Sequence, residues 1–300
     1  MWEKLGLIYS NQGIDSDGRT HASNPTVKVI DETTIEIFFS ARDEHSRSSI
    51  YSKKFFLEGD NITGVNGSTS KILKFGDPGY FDDAGASMGC LLHHNNDEYL
   101  YYLGWSLTKN TPWHNSIGLA IRPQGSSKFE KYKNIPILDR NEYNPISLSY
   151  PWVIKEKNKF RMWHGSNLSW GEKQEDMAHC LKYAESDDGI KWYSKDLISV
   201  AFKDESEYAM SKPSVILENG LYKMWYSFRG KSYRIGYAES KDGFRFERKD
   251  NHVGITVSPS GWDSETIEYP NVFDLNGQRY MVYNGNKYGL TGFGLAKWVG

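Results

Sequence analysis

Carboxylate side chains are the residues of this sequence best suited to proton-transfer chemistry. Asp82 and Asp83 are adjacent, Glu207 lies further along the chain, and Glu268 stands two residues before a proline. Two carboxyl groups can act as acid and base when their pKa values differ, and burial of one beside aromatic rings raises its pKa. We favour Asp83 and Glu268 for these two roles, and Asp82 and Glu207 are the next candidates.

Structural roles are also open for these acids. Asp82 and Asp83 can form an Asx turn or a cap in a solvated loop. Glu268 can instead form a structural salt bridge with Lys212 or Arg229. The neighbours of each carboxyl group in the folded chain decide between a catalytic and a structural role.

Cationic, polar and aromatic residues supply the candidates for ligand binding. Arg42, Lys212 and Arg229 can neutralise nearby carboxylates, or they can hold a phosphate group, because a guanidinium binds it bidentately and an ammonium binds it as a point charge. Trp105 and Trp170 are candidates for platforms on which a flat ligand face stacks. The other candidates for contact with ligand hydroxyl groups are His21, Asn24, Asp43, Tyr150, His164 and Asn284. For the two histidines, the alternative is a structural role as hydrogen-bonded side chains.

Other catalytic motifs are absent from the sequence or lack their structural context. There is no His-Glu-x-x-His, Cys-x-x-Cys or EF-hand spacing, so we predict no metal site and no cofactor. Residues 85–89 match Gly-x-Ser-x-Gly, but that motif needs a helix after its serine, and a strand-like apolar run follows here. We therefore do not expect Ser87 to be a nucleophile.

An internal repeat of about 60 residues organises the chain. Pro151, Pro213 and Pro270 each precede an aromatic-rich run by nine or ten positions, and Pro25 and Gly89 fit the same frame, which gives five copies. Asp-Gly pairs at 188–189 and 242–243 follow the third element of their copies, and Asp-Gly favours a tight hairpin turn. Each copy is therefore predicted to be a meander of four short antiparallel strands.

These repeats predict an all-β fold, a five-bladed β-propeller of four-stranded antiparallel blades that forms a single domain over residues 1–300. The last copy ends at residues 296–300 and leaves no room for a fourth strand, whereas residues 2–4 resemble residues 129–131. The N-terminal strand is therefore predicted to close the last blade and to remove an open sheet edge. Trp163 and Trp225 occupy one repeat position, which favours packing between blades over ligand binding.

Composition restricts the partners and the setting. The 36 Lys and Arg against 38 Asp and Glu give a net charge of −2, which excludes a general nucleic-acid binder or a binder of anionic membranes. No apolar run approaches the roughly 18 residues of a membrane span. The N-terminus lacks the pattern of a secretory signal, and Cys90 and Cys180 fit two reduced thiols, so we expect a cytoplasmic protein. The oligomeric state stays open.

The five-fold pattern, the proline at the start of most inner strands and the Ser-x-Asp-Gly turns at 186–189 and 240–243 resemble the five-bladed propeller glycoside hydrolases, especially families 32, 43 and 130 and their relatives. The resemblance implies catalytic carboxylates on the inner strands, around an axial funnel that binds a carbohydrate. Cleavage of a glycosidic bond normally uses two carboxyl groups about 5 to 10 Å apart.

The catalytic pattern departs from family 43 at two positions. Asn24 stands where that family has an aspartate before the first-blade proline, and no glutamate precedes Pro151 in the third blade. We therefore expect a carbohydrate-active protein, a glycoside hydrolase that acts on an intracellular sugar, glycoside or activated sugar, as in polysaccharide biosynthesis. The alternatives are a glycoside phosphorylase or glycosyltransferase-like enzyme, a non-catalytic sugar-binding propeller, and a ring for protein interaction.

Overall fold

Short strands, mostly paired antiparallel, form nearly all of the regular secondary structure. The structure is a computed structural model that describes residues 1–171 and 176–300. The many aromatic and β-branched residues of the chain favour this pleated arrangement. The helical turns bounded by described residues at both ends are Asp250–His252 and Asn286–Gly289. The expected all-β fold is confirmed. Within these residues, no helix combines the length and the apolar character needed to traverse a bilayer.

The strands follow one another as meanders. The first ten are β1 (Trp2–Tyr9), β2 (Thr20–Val29), β3 (Thr34–Arg42), β4 (Ser48–Glu58), β5 (Asn61–Gly64), β6 (Ser70–Leu73), β7 (Gly85–His94), β8 (Asp97–Leu107), β9 (Trp113–Arg122) and β10 (Glu130–Lys131). The first meander is β2 to β6 and the second is β7 to β10, and a parallel contact between Ser48 and Gly85 joins them.

The second half of the chain repeats this arrangement. Its strands are β11 (Leu148–Glu156), β12 (Lys159–Asn167), β13 (His179–Ser186), β14 (Tyr193–Val200), β15 (Ala209–Glu218), β16 (Leu221–Arg229), β17 (Tyr233–Ser240), β18 (Glu247–Arg248), β19 (Glu268–Leu275), β20 (Gln278–Asn284) and β21 (Phe293–Trp298). The third meander is β11 to β14, the fourth is β15 to β18, and the last consists of β19, β20, β21 and β1.

The N-terminal strand closes the last meander, as predicted. β1 pairs antiparallel with β21, so that Trp2 lies opposite Trp298 and Tyr9 lies opposite Phe293. The ammonium group of Met1 donates to the Gly300 carbonyl at 2.7 Å. The two ends of the chain therefore stabilise one sheet together, and the edge of β21 is covered.

Apolar clusters fill the spaces between successive meanders. Each cluster combines residues of two meanders, as in the pairs Phe38 with Met88, Tyr101 with Phe160, Trp163 with Tyr222, and Trp225 with Met281. A further cluster joins the last meander to the first, because Val282 and Leu295 pack with Ile35 and Phe39. Trp163 and Trp225 are buried in these clusters, in agreement with the packing role that their shared repeat position favours.

Replacing Trp2 with alanine should strongly destabilise the fold. Trp2 is 5% exposed, and its ring centroid lies 5.1 Å from that of Trp298 and 6.2 Å from that of Trp225. Loss of a buried tryptophan typically costs about 3 to 5 kcal/mol, so we expect Trp2→Ala to lower the free energy of unfolding in urea by that amount. Leu7→Ala is the control in the same strand, because Leu7 is 43% exposed, and a similar loss in both variants would contradict the closure argument.

Candidate functional site

The first strand of each meander, here called an inner strand, carries a bulge. In β2, β11, β15 and β19 the residues before the proline are Asn24, Tyr150, Lys212 and Tyr269, with φ between 32° and 58°. Left-handed backbone is disfavoured for residues other than glycine, and a following proline restricts the residue further. The pairing register shifts at each bulge, and the rings of Tyr150 and Tyr269 lie 5.5 Å apart.

The position two residues before the proline distinguishes one inner strand from the rest. It holds Ser23, Ser149 and Ser211, and Ser87 has the equivalent place before Gly89. Three of these serines, Ser87, Ser149 and Ser211, line a cavity of about 340 Å³. In β19 the same position holds Glu268, so the repeat replaces a small hydroxyl group with a carboxyl group at this one inner strand.

The cavity lies where the inner strands converge and is largely aromatic. Its aromatic residues are Trp105, Trp113, Tyr150, Tyr233, Tyr269 and Tyr288, and amide groups come from Asn115 and Asn167. Among the described residues, no aspartate or glutamate lines this cavity, and Arg42 is the charged side chain on its wall. Burial lowers the pKa of His179, the histidine on the wall, to about 4, helped by the charge of Arg229, so this ring is neutral at pH 7.

Glu268 lies beside the part of the cavity wall that is formed by tyrosines. The residue is 1% exposed, and neither carboxyl oxygen has a hydrogen-bond partner in good geometry within the described chain. Burial raises the pKa of Glu268 to about 8, while smaller effects of the Tyr288 backbone and the Arg229 charge oppose this rise. Burial is the largest cause of the raised pKa values of Tyr233 and Tyr269, and the negative charge of an ionised Glu268 adds to both rises. At neutral pH the Glu268 carboxyl group is therefore mostly protonated and can donate a proton.

The two salt bridges considered for Glu268 do not form. The Arg229 Nη1 group donates instead to the Tyr288 hydroxyl at 2.6 Å, and the guanidinium lies 5.2 Å from the ring centroid of Tyr233. The buried Arg229 Nε has no hydrogen-bond acceptor among the described residues. Arg229 therefore contributes positive charge behind the wall without an ion pair to Glu268.

Lys212 is a buried connector between meanders. Its Nζ group donates to the Gly89 carbonyl at 2.7 Å and to Thr26 Oγ1 at 3.1 Å, so one side chain joins the first, second and fourth meanders. Burial lowers the pKa of Lys212 to about 8. The side chain does not line the cavity, and its contacts indicate a structural role.

Asp82 belongs to a recurring structural arrangement. It is 1% exposed, forms an ion pair with Lys131 at 2.6 Å and accepts a hydrogen bond from the Tyr102 hydroxyl at 3.0 Å. These contacts tie the loop before an inner strand to the outer strand of the same meander. Equivalent contacts of a loop acid with an outer-strand base occur for Asp263 with Lys4 and for Glu207 with Arg248.

Neither Asp83 nor Glu207 lies on the cavity wall. Asp83 accepts a hydrogen bond from the Gly79 backbone at 2.9 Å in an exposed turn. This donor lies four residues before Asp83, so the contact is not an Asx turn. Glu207 is buried and accepts two hydrogen bonds from the Arg248 guanidinium, at 2.5 and 2.9 Å. The favoured pair of Asp83 with Glu268 is therefore not assembled on this wall, because loop acids turn toward their own backbone or toward outer-strand bases.

The remaining predicted polar residues divide between the cavity and the framework. His21 lies beside Arg42, and burial followed by the Arg42 charge lowers the pKa of His21 to about 4. His164 is fully buried away from the wall, its Nδ1 atom 3.0 Å from the Gly165 carbonyl oxygen, and burial lowers its pKa to about 4.

Asn284 and Asp43 are committed to the framework. The Asn284 amide accepts a hydrogen bond from the Asn24 backbone at 2.8 Å and donates to the Ala22 carbonyl at 2.7 Å, which joins the last meander to the first. Asp43 accepts from Arg47 Nε at 2.8 Å and closes its own turn. The buried Asn24 Nδ2 atom has no acceptor among the described residues, and its side chain faces Tyr150.

The two predicted tryptophans, Trp105 and Trp170, both lie at or next to the cavity wall, in the part here called the rim. Trp105 lines the cavity, as a platform requires, and its Nε1 group donates to Ser48 Oγ at 3.0 Å. Trp170 packs edge-on against Trp113 with ring centroids 5.2 Å apart. Trp113 lines the cavity, and Trp170 therefore supports the rim through it.

Sequence reasoning missed several wall residues that share a position in the repeat. Trp113, His179 and Tyr233 are the first residues of β9, β13 and β17, which are the third strands of their meanders. Tyr269 precedes Pro270 in the same way as the predicted Tyr150 precedes Pro151. Alignment of the repeats by strand ends would have found these residues.

Two relatives match almost the whole chain. They are the uncharacterized proteins MT1551, from Mycobacterium tuberculosis strain CDC 1551, and Rv1502, from strain H37Rv. Each is 42% identical over 296 residues, which cover 98% of both chains. No protein-family model matches the sequence.

Solved structures with the same fold are glycoside hydrolases. One described as a glycoside hydrolase has a TM-score of 0.70 at 15% identity, and the match covers 98% of this chain and 90% of the other. A thermostable family-43 glycoside hydrolase gives 0.63 at 17% identity, with 96% and 90% covered. A family-43 enzyme from Xanthomonas citri complexed with xylose gives 0.66 at 14% identity, with 100% and 90% covered. The resemblance to the propeller glycoside hydrolases is confirmed at the level of the fold.

Proposed function

Because the chain belongs to the family of the Mycobacterium tuberculosis proteins MT1551 and Rv1502 and has the fold of propeller glycoside hydrolases, we propose that it is a carbohydrate-active protein. A sugar binds in the cavity between the inner strands. Glu268 is the proton donor to that sugar. Arg42, Trp105 and Tyr150 are the predicted ligand contacts that the proposal retains.

The observation that carries the proposal is the environment of Glu268. A buried carboxyl group whose oxygens lack hydrogen bonds in good geometry costs free energy, and native structures satisfy most such groups. Strongly perturbed acids beside a cleft are candidates for functional groups, because catalysis needs acids that stay protonated near neutral pH. Glu268 meets this description, while the other inner strands have serine at its position.

The reaction needs more than one acid if it is a hydrolysis with paired carboxylates. Such enzymes place a second carboxylate within about 10 Å as base or nucleophile. Glu268 lies beside the cavity, and the described part of the cavity wall itself carries no carboxylate that could be its partner, which supports the alternative of a sugar-binding protein without turnover. A phosphorylase remains the enzymatic alternative, since inorganic phosphate can replace the activated water as nucleophile.

The proposal extends to the architecture and setting expected from the sequence. The meanders are the five blades of one propeller over residues 1–300, which is supported by the apolar cluster that joins the last meander to the first. A cytoplasmic site of action is supported by Cys90 and Cys180, which are both buried and unpaired.

A binding and turnover screen tests the proposal. The protein is incubated with oligosaccharides and 4-nitrophenyl glycosides, with and without inorganic phosphate, while binding is measured by calorimetry and products by mass spectrometry. Trp113→Ala should weaken binding of any sugar found by about 10-fold or more, because a stacking surface on the wall is lost.

Leu107→Ala is the matched control, since Leu107 pairs with Trp113 across β8 and β9 but is 71% exposed and lies off the wall. Turnover supports an enzyme, and binding without products supports the sugar-binding alternative. The absence of both, or equal effects of the two variants, would contradict the proposed site.

A further inference from the structure

We propose that the ligand of the cavity is an anionic sugar, one that bears a carboxylate or a phosphate group, and that Arg42 binds the anion. The sugar part of this inference rests on the function proposed above. The anionic part rests on the charges around the cavity and stands separately.

Arg42 is a cation on the wall without a partner. It is the last residue of β3, and its guanidinium forms no hydrogen bond or ion pair with the described residues. The acid next to it, Asp43, is already bound to the Arg47 side chain and to the backbone of its own turn. A guanidinium presents parallel donors that match a carboxylate or phosphate bidentately.

No acid on the described wall offsets this charge. Burial raises the pKa values of the wall residues Tyr150, Tyr233 and Tyr269, so these phenols are uncharged at neutral pH. Burial also keeps the His179 ring neutral. Glu268 is mostly protonated at pH 7, since its pKa is raised to about 8. Asp176, the nearest acid along the chain to the wall residue Met177, is exposed.

A second cation strengthens the field. Arg229 lies behind Tyr233, and its buried Nε has no acceptor in the described chain. Uncompensated positive charge in a concave site with low-dielectric walls concentrates anions, even on a protein whose net charge is −2. The chain as a whole repels anions weakly, whereas this cavity attracts them.

His21 provides a reporter for the bound anion. The Arg42 charge is the second cause of its lowered pKa, after burial. An anion on Arg42 cancels that contribution, so the pKa of His21 should rise when the ligand binds. A neutral sugar that only displaces water does not produce this rise.

The test compares each anionic sugar with its neutral parent. Calorimetry measures the dissociation constants of galacturonate against galactose, glucuronate against glucose and glucose 6-phosphate against glucose, with inorganic phosphate as a separate arm. In the wild type at least one anionic member should bind about 10-fold or more tightly than its neutral parent, and added salt should reduce the difference. In Arg42→Gln the difference should disappear, and Arg42→Lys should restore part of it.

Arg245→Gln is the control for charge, because Arg245 is exposed and lies in the turn after Gly243. NMR titration of His21 with the tightest anion gives the second readout and covers the case in which Arg42→Gln folds poorly.

Three outcomes separate the two proposals. Equal binding of neutral and anionic partners, or a preference that survives in Arg42→Gln, overturns the anionic inference and leaves the carbohydrate proposal standing. Binding of inorganic phosphate that depends on Arg42, without binding of any sugar, supports the anion site and contradicts the carbohydrate function. Binding of none of these probes by the wild type contradicts both.

Discussion

Glu268→Gln should remove at least about 99% of any turnover at the cavity, because general acid catalysis typically contributes 10²- to 10⁴-fold. Glutamine keeps the shape and polarity of the side chain but has no dissociable proton. Binding of the sugar should change little, because glutamine keeps the volume of the side chain and can still form hydrogen bonds. The measurement is kcat and KM on the substrate found in the screen, and the loss should appear in kcat.

The same variant should be more stable than the wild type at and above neutral pH. Burial raises the pKa of Glu268 from 4.5 to about 8, so the folded chain holds this proton more tightly than the unfolded chain. The contribution of this group to the free energy of unfolding is therefore fully present below pH 4.5. It is lost as the pH rises toward 8, at about 1.4 kcal/mol per pH unit. Arg229, Tyr233 and Tyr269, which surround the group, do not titrate in this interval.

Melting temperatures at pH 5, 6, 7 and 8 give the check. The difference between Glu268→Gln and the wild type should be small at pH 5 and should increase up to pH 8. Glu265→Gln is the matched control, because Glu265 is an exposed glutamate three residues earlier, in the loop that leads into β19. A difference that does not change with pH would contradict the buried neutral acid, and unchanged kcat would contradict its role as proton donor.

Arg248→Leu should lower the free energy of unfolding by about 3 kcal/mol or more, the typical cost of removing one partner from a buried ion pair. The Arg248 guanidinium binds Glu207 at 2.5 and 2.9 Å and Asp250 at 2.5 and 2.9 Å. Without it, two carboxylates lose their shared cation, and the Glu207 side chain is only 6% exposed. The loss is measured by urea unfolding.

Arg245→Leu carries the same change in an exposed side chain and should cost little. Sugar binding by folded Arg248→Leu should match the wild type, because the residues of this ion-pair cluster do not line the cavity. If Arg248→Leu were as stable as the wild type but did not bind sugar, the result would contradict the structural role of this ion pair. Glu207 would then again be a candidate residue of the functional site.

The sequence repeat was sufficient to predict the strands and their closure. The spacing of Pro151, Pro213 and Pro270 gave the meanders, and the likeness of residues 2–4 to residues 129–131 gave the pairing of β1 with β21. Both features are local patterns with a fixed period, so a single chain is enough to reveal them.

The direction in which each side chain points at the bulges could not be predicted in the same way. Simple alternation along a strand fails where one extra residue shifts the pairing, and each inner strand has such a shift. Asn24 and Tyr150 were singled out at positions before a proline and Lys212 was singled out as a cation, whereas the equivalent Tyr269 was overlooked. Glu268 lies on an inner strand, as expected, although its serine counterparts went unnoticed.

Loop acids were the other source of error, and the cause is electrostatic. A carboxylate in a loop pairs with whichever base the fold brings near, and no sequence pattern linked Asp82 with Lys131 or Glu207 with Arg248, which lie 49 and 41 positions apart. Similar acids therefore stabilise the edges of the meanders, while the cavity wall stays free of carboxylates among the described residues.

The pairing of β1 with β21 also constrains how the chain matures during translation. The first strand leaves the ribosome early but has no partner until residues 293–298 have been synthesised, so its hydrogen-bonding edge stays open for most of the elongation time. Exposed strand edges are where nascent chains associate wrongly. A circular permutant that links residue 300 to residue 1 and starts between two meanders would make this hairpin local, and it should refold with less aggregation than the natural order.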